Sequence, residues 1–355
     1  MNVSATRTEA VPRTVTMRRR HLSWPLLAVG LLIALAASVA VGTRPVDLSV
    51  TWAVLPHALT GDISTVGGIP ALDAAVVESR VWRTAAGVLT GAALAVAGAL
   101  LQGATRNPLG DPGILGLTAG AACAVVTGAV LGGLVSPGSQ LWLAALGSAV
   151  AMLLVYGLAT AAKGGARPVT LALTGAAISA GLGALTSAML LTDQATFNSF
   201  RTWQVGDLSR PDGTFLLLAA PVILVGLVLA WPLGGSLDTL SLGDALGRGL
   251  GAHPALIRLL AGVAVVLLAG TATALAGPLV FCGLLVPHAV RAFVGVSYRR
   301  VIPACILAGP VVVLLADTVA RVALPDRELQ VGIALVIIGA PALVAIVRRK
   351  GVVTA

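Results

Sequence analysis

Few residues of this chain have types and spacings suited to covalent chemistry. Its four histidines, His21, His57, His253 and His288, are scattered and show no metal-ligand spacing. Its three cysteines, Cys123, Cys282 and Cys305, all fall inside apolar runs, which indicates packed free thiols rather than a disulfide framework or a metal site. No GxxxxGKS/T phosphate loop is present, and no nucleophile–base arrangement is legible. The residues imply no catalytic centre, no cofactor and no metal. Any ATP hydrolysis linked to this chain must come from a separate polypeptide.

Two polar segments are suited to conformational rather than chemical work. Around 235–256, Ser241 and Asp244 stand at capping-box spacing, Gly251 can end a helix, and Pro254 follows. That predicts a short helix over about 242–250. Leu240, Leu242, Leu246 and Leu250 recur near helical spacing, fit either to lie on lipid headgroups or to dock on a partner. The second segment runs from Gln102 to Gly113. Its Asn107-Pro108 pair forms a turn, and Asp111 can cap a helix that starts at Pro112.

The elements that position these segments follow from composition. Of 355 residues, 57% are hydrophobic and only 10% charged, too few charges to keep a soluble surface in water. Uncharged runs lie at about 22–43, 84–105, 113–161, 168–192, 213–237, 259–290, 301–316 and 329–347. A spanning helix takes about 20 apolar residues, so the 113–161 run holds two, split at Ser136-Pro137-Gly138. The 259–290 run divides at Gly277-Pro278 into one full helix and one short one. The prediction is an all-α membrane protein with about ten transmembrane helices. A tail over 1–21 precedes a single membrane domain over 22–355. Gly87/Gly91, with Gly98 on the same face, and Gly116/Gly120 are small-residue pairs suited to close helix approach.

The net charge of +9 is dispersed between apolar runs and has no clustered stripe, which argues against nucleic-acid binding. It is better explained by topology. With both termini in the cytoplasm, 16 of the 23 basic residues fall on the inner side, among them Arg7, Arg13, Lys163 and Arg167. No ionisable residue stands well inside any of the uncharged runs, which counts against coupling to a proton or sodium gradient.

Several separated stretches resemble the FecCD-type permease family, which imports ferric siderophores, haem and cobalamin. They are Gly91–Gly113, Leu240-Ser-Leu-Gly-Asp244, Leu250-Gly251, Ala276-Gly-Pro278, Gly283–Arg291, Leu315–Arg321 and Gly339-Ala-Pro341. The resemblance implies a non-catalytic permease subunit in a bacterial cytoplasmic membrane. Its implied partners are two ATPase subunits, a second permease (identical or homologous), an extracytoplasmic binding protein and a metal-chelate substrate. It implies that Ser241, Leu242, Gly243, Asp244, Arg248 and Gly251 form the segment coupled to the ATPase, with Asn107 and Pro108 in a neighbouring cytoplasmic loop. It also implies that Arg80, Arg83 and Arg321 form an outer rim receiving acidic residues of the binding protein, as an arginine fork suits. Trp82 and Leu329-Gln330 depart from the family's usual prolines near that rim, and Gly247 from a usual alanine.

Overall fold

The structure is a computed structural model and describes residues 14–60, 68–113, 115–134, 136–162, 168–209, 211–324 and 328–350. The tail through residue 13 lies outside the described residues, as do Lys163, Arg167, Arg210 and Arg327. Every regular element described is helical: α1 (Thr14–Ala40), α2 (Leu48–Thr60), α3 (Ala71–Thr105), α4 (Leu117–Gly132), α5 (Pro137–Ala161), α6 (Pro168–Leu190), α7 (Gln194–Trp203), α8 (Gly213–Ser241), α9 (Asp244–Gly249), α10 (Pro254–Val265), α11 (Thr271–Ala276), α12 (Cys282–Val294), α13 (Tyr298–Val322) and α14 (Val331–Lys350). A π turn, Val266–Gly270, links α10 to α11, so that the two run on as one apolar stretch over Pro254–Ala276 with a change of winding between them.

Seven of these helices are long and apolar enough to cross a membrane. Three shorter apolar ones, Leu117–Gly132, Cys282–Val294 and the Val331–Ala342 part of α14, bring the number to ten among the described residues. They correspond to the ten runs expected. Three further helices, α2, α7 and α9, lie between these. Asp193 caps α7, accepting from the Ala195 and Thr196 amides. Phe200 and Trp203 of α7 pack against Val126 and Leu190.

The longest helix, α3, runs through the centre. Its 35 residues span about 52 Å, more than the roughly 30 Å hydrocarbon layer. Most of it is buried because its residues are small. Antiparallel α13 lies along it: Gly91 meets Gly309, Gly87 meets Leu314, and Arg83 meets Asp317. A Cβ built on Gly91 would stand 2.7 Å from the Gly309 backbone. One on Gly98 would stand 1.8 Å from the Gly283 carbonyl oxygen. Gly120 meets Gly147 in the same way, at 2.3 Å from its oxygen. Gly116 differs from the expected helix contact, because it sits at φ +79 just before α4.

The chain breaks where Gly277 takes φ +69, and α12 begins only at Cys282. Cys282 Sγ lies 3.9 Å from the Gly91 carbonyl, beyond the midpoint of α3. Segment 277–281 therefore lies deep in the bundle, where non-helical backbone needs protein or a cavity around it. Phe281 itself holds a left-handed conformation, φ 70.

Candidate functional site

Polar side chains gather at the two opposite ends of the α3 rod. At one end, α8 continues through Ser241, because the Ser241 hydroxyl donates to the Asp238 carbonyl (2.6 Å). The expected capping box is therefore absent. Gly243, at φ 101, precedes α9 without a side-chain cap, and Asp244 opens the helix. The Asp244 carboxylate instead receives two hydrogen bonds from Arg258 of α10, at 2.8 and 2.9 Å. Arg106 stands 3.3 Å from the same group. The Arg258 hydrogen bond holds the Asp244 carboxyl below the usual carboxylate range, against a small opposing effect of burial.

The far end of α9 closes on Gly251 at φ +82. Its amide donates to the Arg248 carbonyl, and the Ala252 amide to the Gly247 carbonyl, the paired bonds of a Schellman ending. Gly247 alone is buried within α9. Leu242, Leu246 and Leu250 are 56%, 65% and 68% exposed, and Arg248 is exposed beside them. Leu240 is buried and belongs to the core.

The neighbouring loop is held by its own side chains. Arg106 takes φ 52 and ends α3. Asn107 Oδ1 accepts from the Leu109 amide, and Asp111 Oδ1 from the Gly113 amide. Asp111 thus forms a turn rather than the expected helix cap, and α4 starts only at Leu117. Three polar residues here exceed the sequence expectation. Gln102 bridges the Gly283 carbonyl and Arg291 Nη1. Arg291 also reaches the Tyr298 hydroxyl. Asp238 caps α13 from outside, accepting from the Ser297 hydroxyl and the Tyr298 amide, both at 2.6 Å. Apart from Tyr298 at Arg291, their partners stand roughly 60 to 190 residues away, a distance no spacing rule reaches.

The three arginines expected on an open rim lie at the opposite end, and all are buried: Arg80 is 5% exposed, Arg83 7% and Arg321 2%. Arg83 grips Asp317 through Nε and Nη2 and holds Glu328 through Nη1 at 2.7 Å. Arg321 Nε stands 3.2 Å from Asp317 Oδ2, and its Nη1 donates to the Ser38 and Val41 carbonyls. Arg80 donates to the carbonyls of Val39, Ala40 and Arg44. Two of the three arginines therefore satisfy the last carbonyls of α1, which a helix end leaves without partners. Gly42 makes room for this: a Cβ there would lie 2.6 Å from Arg80 Nη2.

The helices run on past the uncharged stretches of the sequence. Arg80 and Arg83 stand within α3, and Asp317 and Arg321 within α13, because each charge has a partner from another helix or helix end. Glu328 is 42% exposed by side chain and is the accessible member of the group. Burial pushes its carboxyl up, but the Arg83 and Thr43 hydrogen bonds outweigh this and leave it below the usual range.

A bundle of ten apolar helices, crossed by a long glycine-rich rod and flanked by one short amphipathic helix, has the architecture of a multi-pass membrane permease. The model of the FecCD transport family matches residues 30–349, so the chain belongs to that family. It is 40% identical over 332 residues to the ferric enterobactin transport system permease protein FepD of Escherichia coli (strain K12), covering 93% of this chain and 96% of that one. It is 36% identical over 353 residues to the iron(3+)-hydroxamate import system permease protein FhuB of Bacillus subtilis (strain 168), covering 95% and 88%. Among solved structures, an inward-facing conformation of a metal-chelate type ABC transporter superposes with TM-score 0.78 at 25% identity, covering 93% of this chain and 99% of that one.

Proposed function

We propose that this chain is the membrane-spanning half of an ATP-driven importer for a ferric siderophore or a related iron chelate, with haem or cobalamin as alternative cargo. The observation that carries the reading is α9: a short helix between two spans, anchored by its first residue and presenting Leu242, Leu246, Leu250 and Arg248 outward. One ATPase subunit seats on that face, two per assembled transporter, and ATP hydrolysis belongs to them. A second permease copy, identical or homologous, completes the pathway. The names of the curated relatives support an iron-chelate cargo.

An even number of crossings leaves both termini on one side, which this reading places in the cytoplasm of a bacterial cell. An extracytoplasmic binding protein then meets the opposite end. Of the three arginines, Arg83 is the one a docking acid reaches, by displacing the exposed Glu328. Arg80 and Arg321 serve this contact by fixing α1.

The test is co-purification with a co-expressed ATPase subunit. Leu246→Glu combined with Arg248→Glu is expected to abolish ATPase retention while the permease remains folded. Full retention would remove the docking role of α9. At the other end, Glu328→Gln is expected to strengthen retention of the binding protein, and unchanged retention would remove the rim assignment.

A further inference from the structure

If α9 receives the push of an ATPase, that push must enter the membrane domain somewhere, and the covalent route is soft. Gly243 at φ 101 and Gly251 at φ +82 flank α9, and glycine joints of this kind resist rotation least. Core packing is equally poor, since Gly247 is the only buried residue of the helix. What remains is the attachment of Asp244.

We propose that Arg258 is the positioning residue through which displacement of α9 is passed to the spanning helices. One guanidinium joins three elements there. Its Nη1 and Nη2 hold both oxygens of Asp244, the first residue of α9. Its Nε donates to the Ala104 carbonyl in the last turn of α3. Its own backbone belongs to the second turn of α10. A bidentate fork resists both sliding and twisting, which a single contact does not. Arg258 is 23% exposed by side chain, whereas Arg106, the other cation at Asp244, is 45% exposed and more weakly effective in water.

The two helices that receive the load differ. α3 is a continuous rod to the Arg83–Asp317 group. α10 meets the π turn Val266–Gly270 after 12 residues, a local change of winding that lets one half turn against the other. Movement entering at Arg258 is thus carried whole by α3 and can be taken up in part along α10.

This inference rests on the proposed ATPase docking, and its test separates the two. The assembled complex, in vesicles, is supplied with iron as ferric enterobactin and separately as ferric citrate; uptake and ATP hydrolysis are both measured. Arg258→Gln and Asp244→Asn are expected to retain the ATPase and to lower iron taken up per ATP hydrolysed by about tenfold, the scale of coupling between contacting residues. Arg258→Lys should fall between, and the exchange Asp244→Arg with Arg258→Asp should recover most of the ratio. An unchanged ratio in both single variants overturns the inference, as does a loss of uptake strictly proportional to lost assembly. A second readout needs no cargo: amide exchange of residues 244–249 in the permease alone should accelerate in Arg258→Gln and return in the exchanged pair. Unaltered exchange also overturns it. A wild-type chain that retains no ATPase refutes the docking reading instead.

Discussion

Asp317 has no exposed surface, and its carboxylate is gripped by Arg83 and flanked by Arg321. Its contacts to Arg83 tie α13 to α3 at this end of the bundle, with Arg321 of α13 beside it. Removing one partner strands the other charge. Arg83→Ala or Asp317→Ala is therefore expected to destabilise the chain by about 3–5 kcal/mol, measured by thermal unfolding in detergent. The double variant should lose less than the sum of the two. Asp244 makes a different prediction, in pH. A carboxyl lowered in the folded state contributes its stabilisation fully above its unfolded value, about 3.9, and loses it as pH falls through the lower folded value. Protection of residues 244–249 from amide exchange should thus hold from neutrality down to about pH 4 and fail only below it.

At the scale of the helix, glycine sets both ends and crossings. Gly251→Ala places a Cβ in open space but at φ +82, so only backbone strain opposes it. The expected cost is about 1 kcal/mol, seen as fraying of α9 in amide exchange. Gly98→Ala drives a methyl into the Gly283 carbonyl, and Gly181→Ala meets nothing within 4 Å. The first should lower thermal stability by at least about 1–3 kcal/mol, and the second should leave it unchanged or raised.

The ten apolar helices are legible in sequence because lipid demands uninterrupted apolar length, which composition records directly. The extent of α3 is not. Arg80 and Arg83 cut the uncharged run at residue 84, while the carbonyls that receive Arg80 lie about 40 residues back and the acids that receive Arg83, Asp317 and Glu328, lie more than 230 residues on. The resemblance assigns Arg80, Arg83 and Arg321 to an outer rim but carries no sign of the partners that bury them. Asp244 is identified as important from spacing, but the capping role fails because Arg258, 14 residues later, takes its carboxylate. The α9 ending at Gly251 is readable because it is local: one glycine, one turn, two hydrogen bonds.

For the whole molecule, the two polar groups and the rod between them form one mechanical unit. The Asp244–Arg258 junction grips the last turn of α3, and the Arg83–Asp317 group grips its opposite half. In the proposed importer, work delivered by ATP at one end is thus available at the other without any ionisable group crossing the interior. In vesicles of the assembled complex, collapse of the proton gradient at constant ATP is expected to leave iron uptake unchanged, and a collapse of uptake would show that a gradient drives it. The bare glycine contacts limit how such work is expressed. Where Gly91 touches Gly309 and Gly120 touches Gly147, main chain rests on main chain, with no long side chains to swing aside. Helices joined in this way cannot part without opening a void or slide without striking the next residue's Cβ. They are left to rock about the point of contact, so the crossings serve as fulcrums, and displacement grows with distance from them.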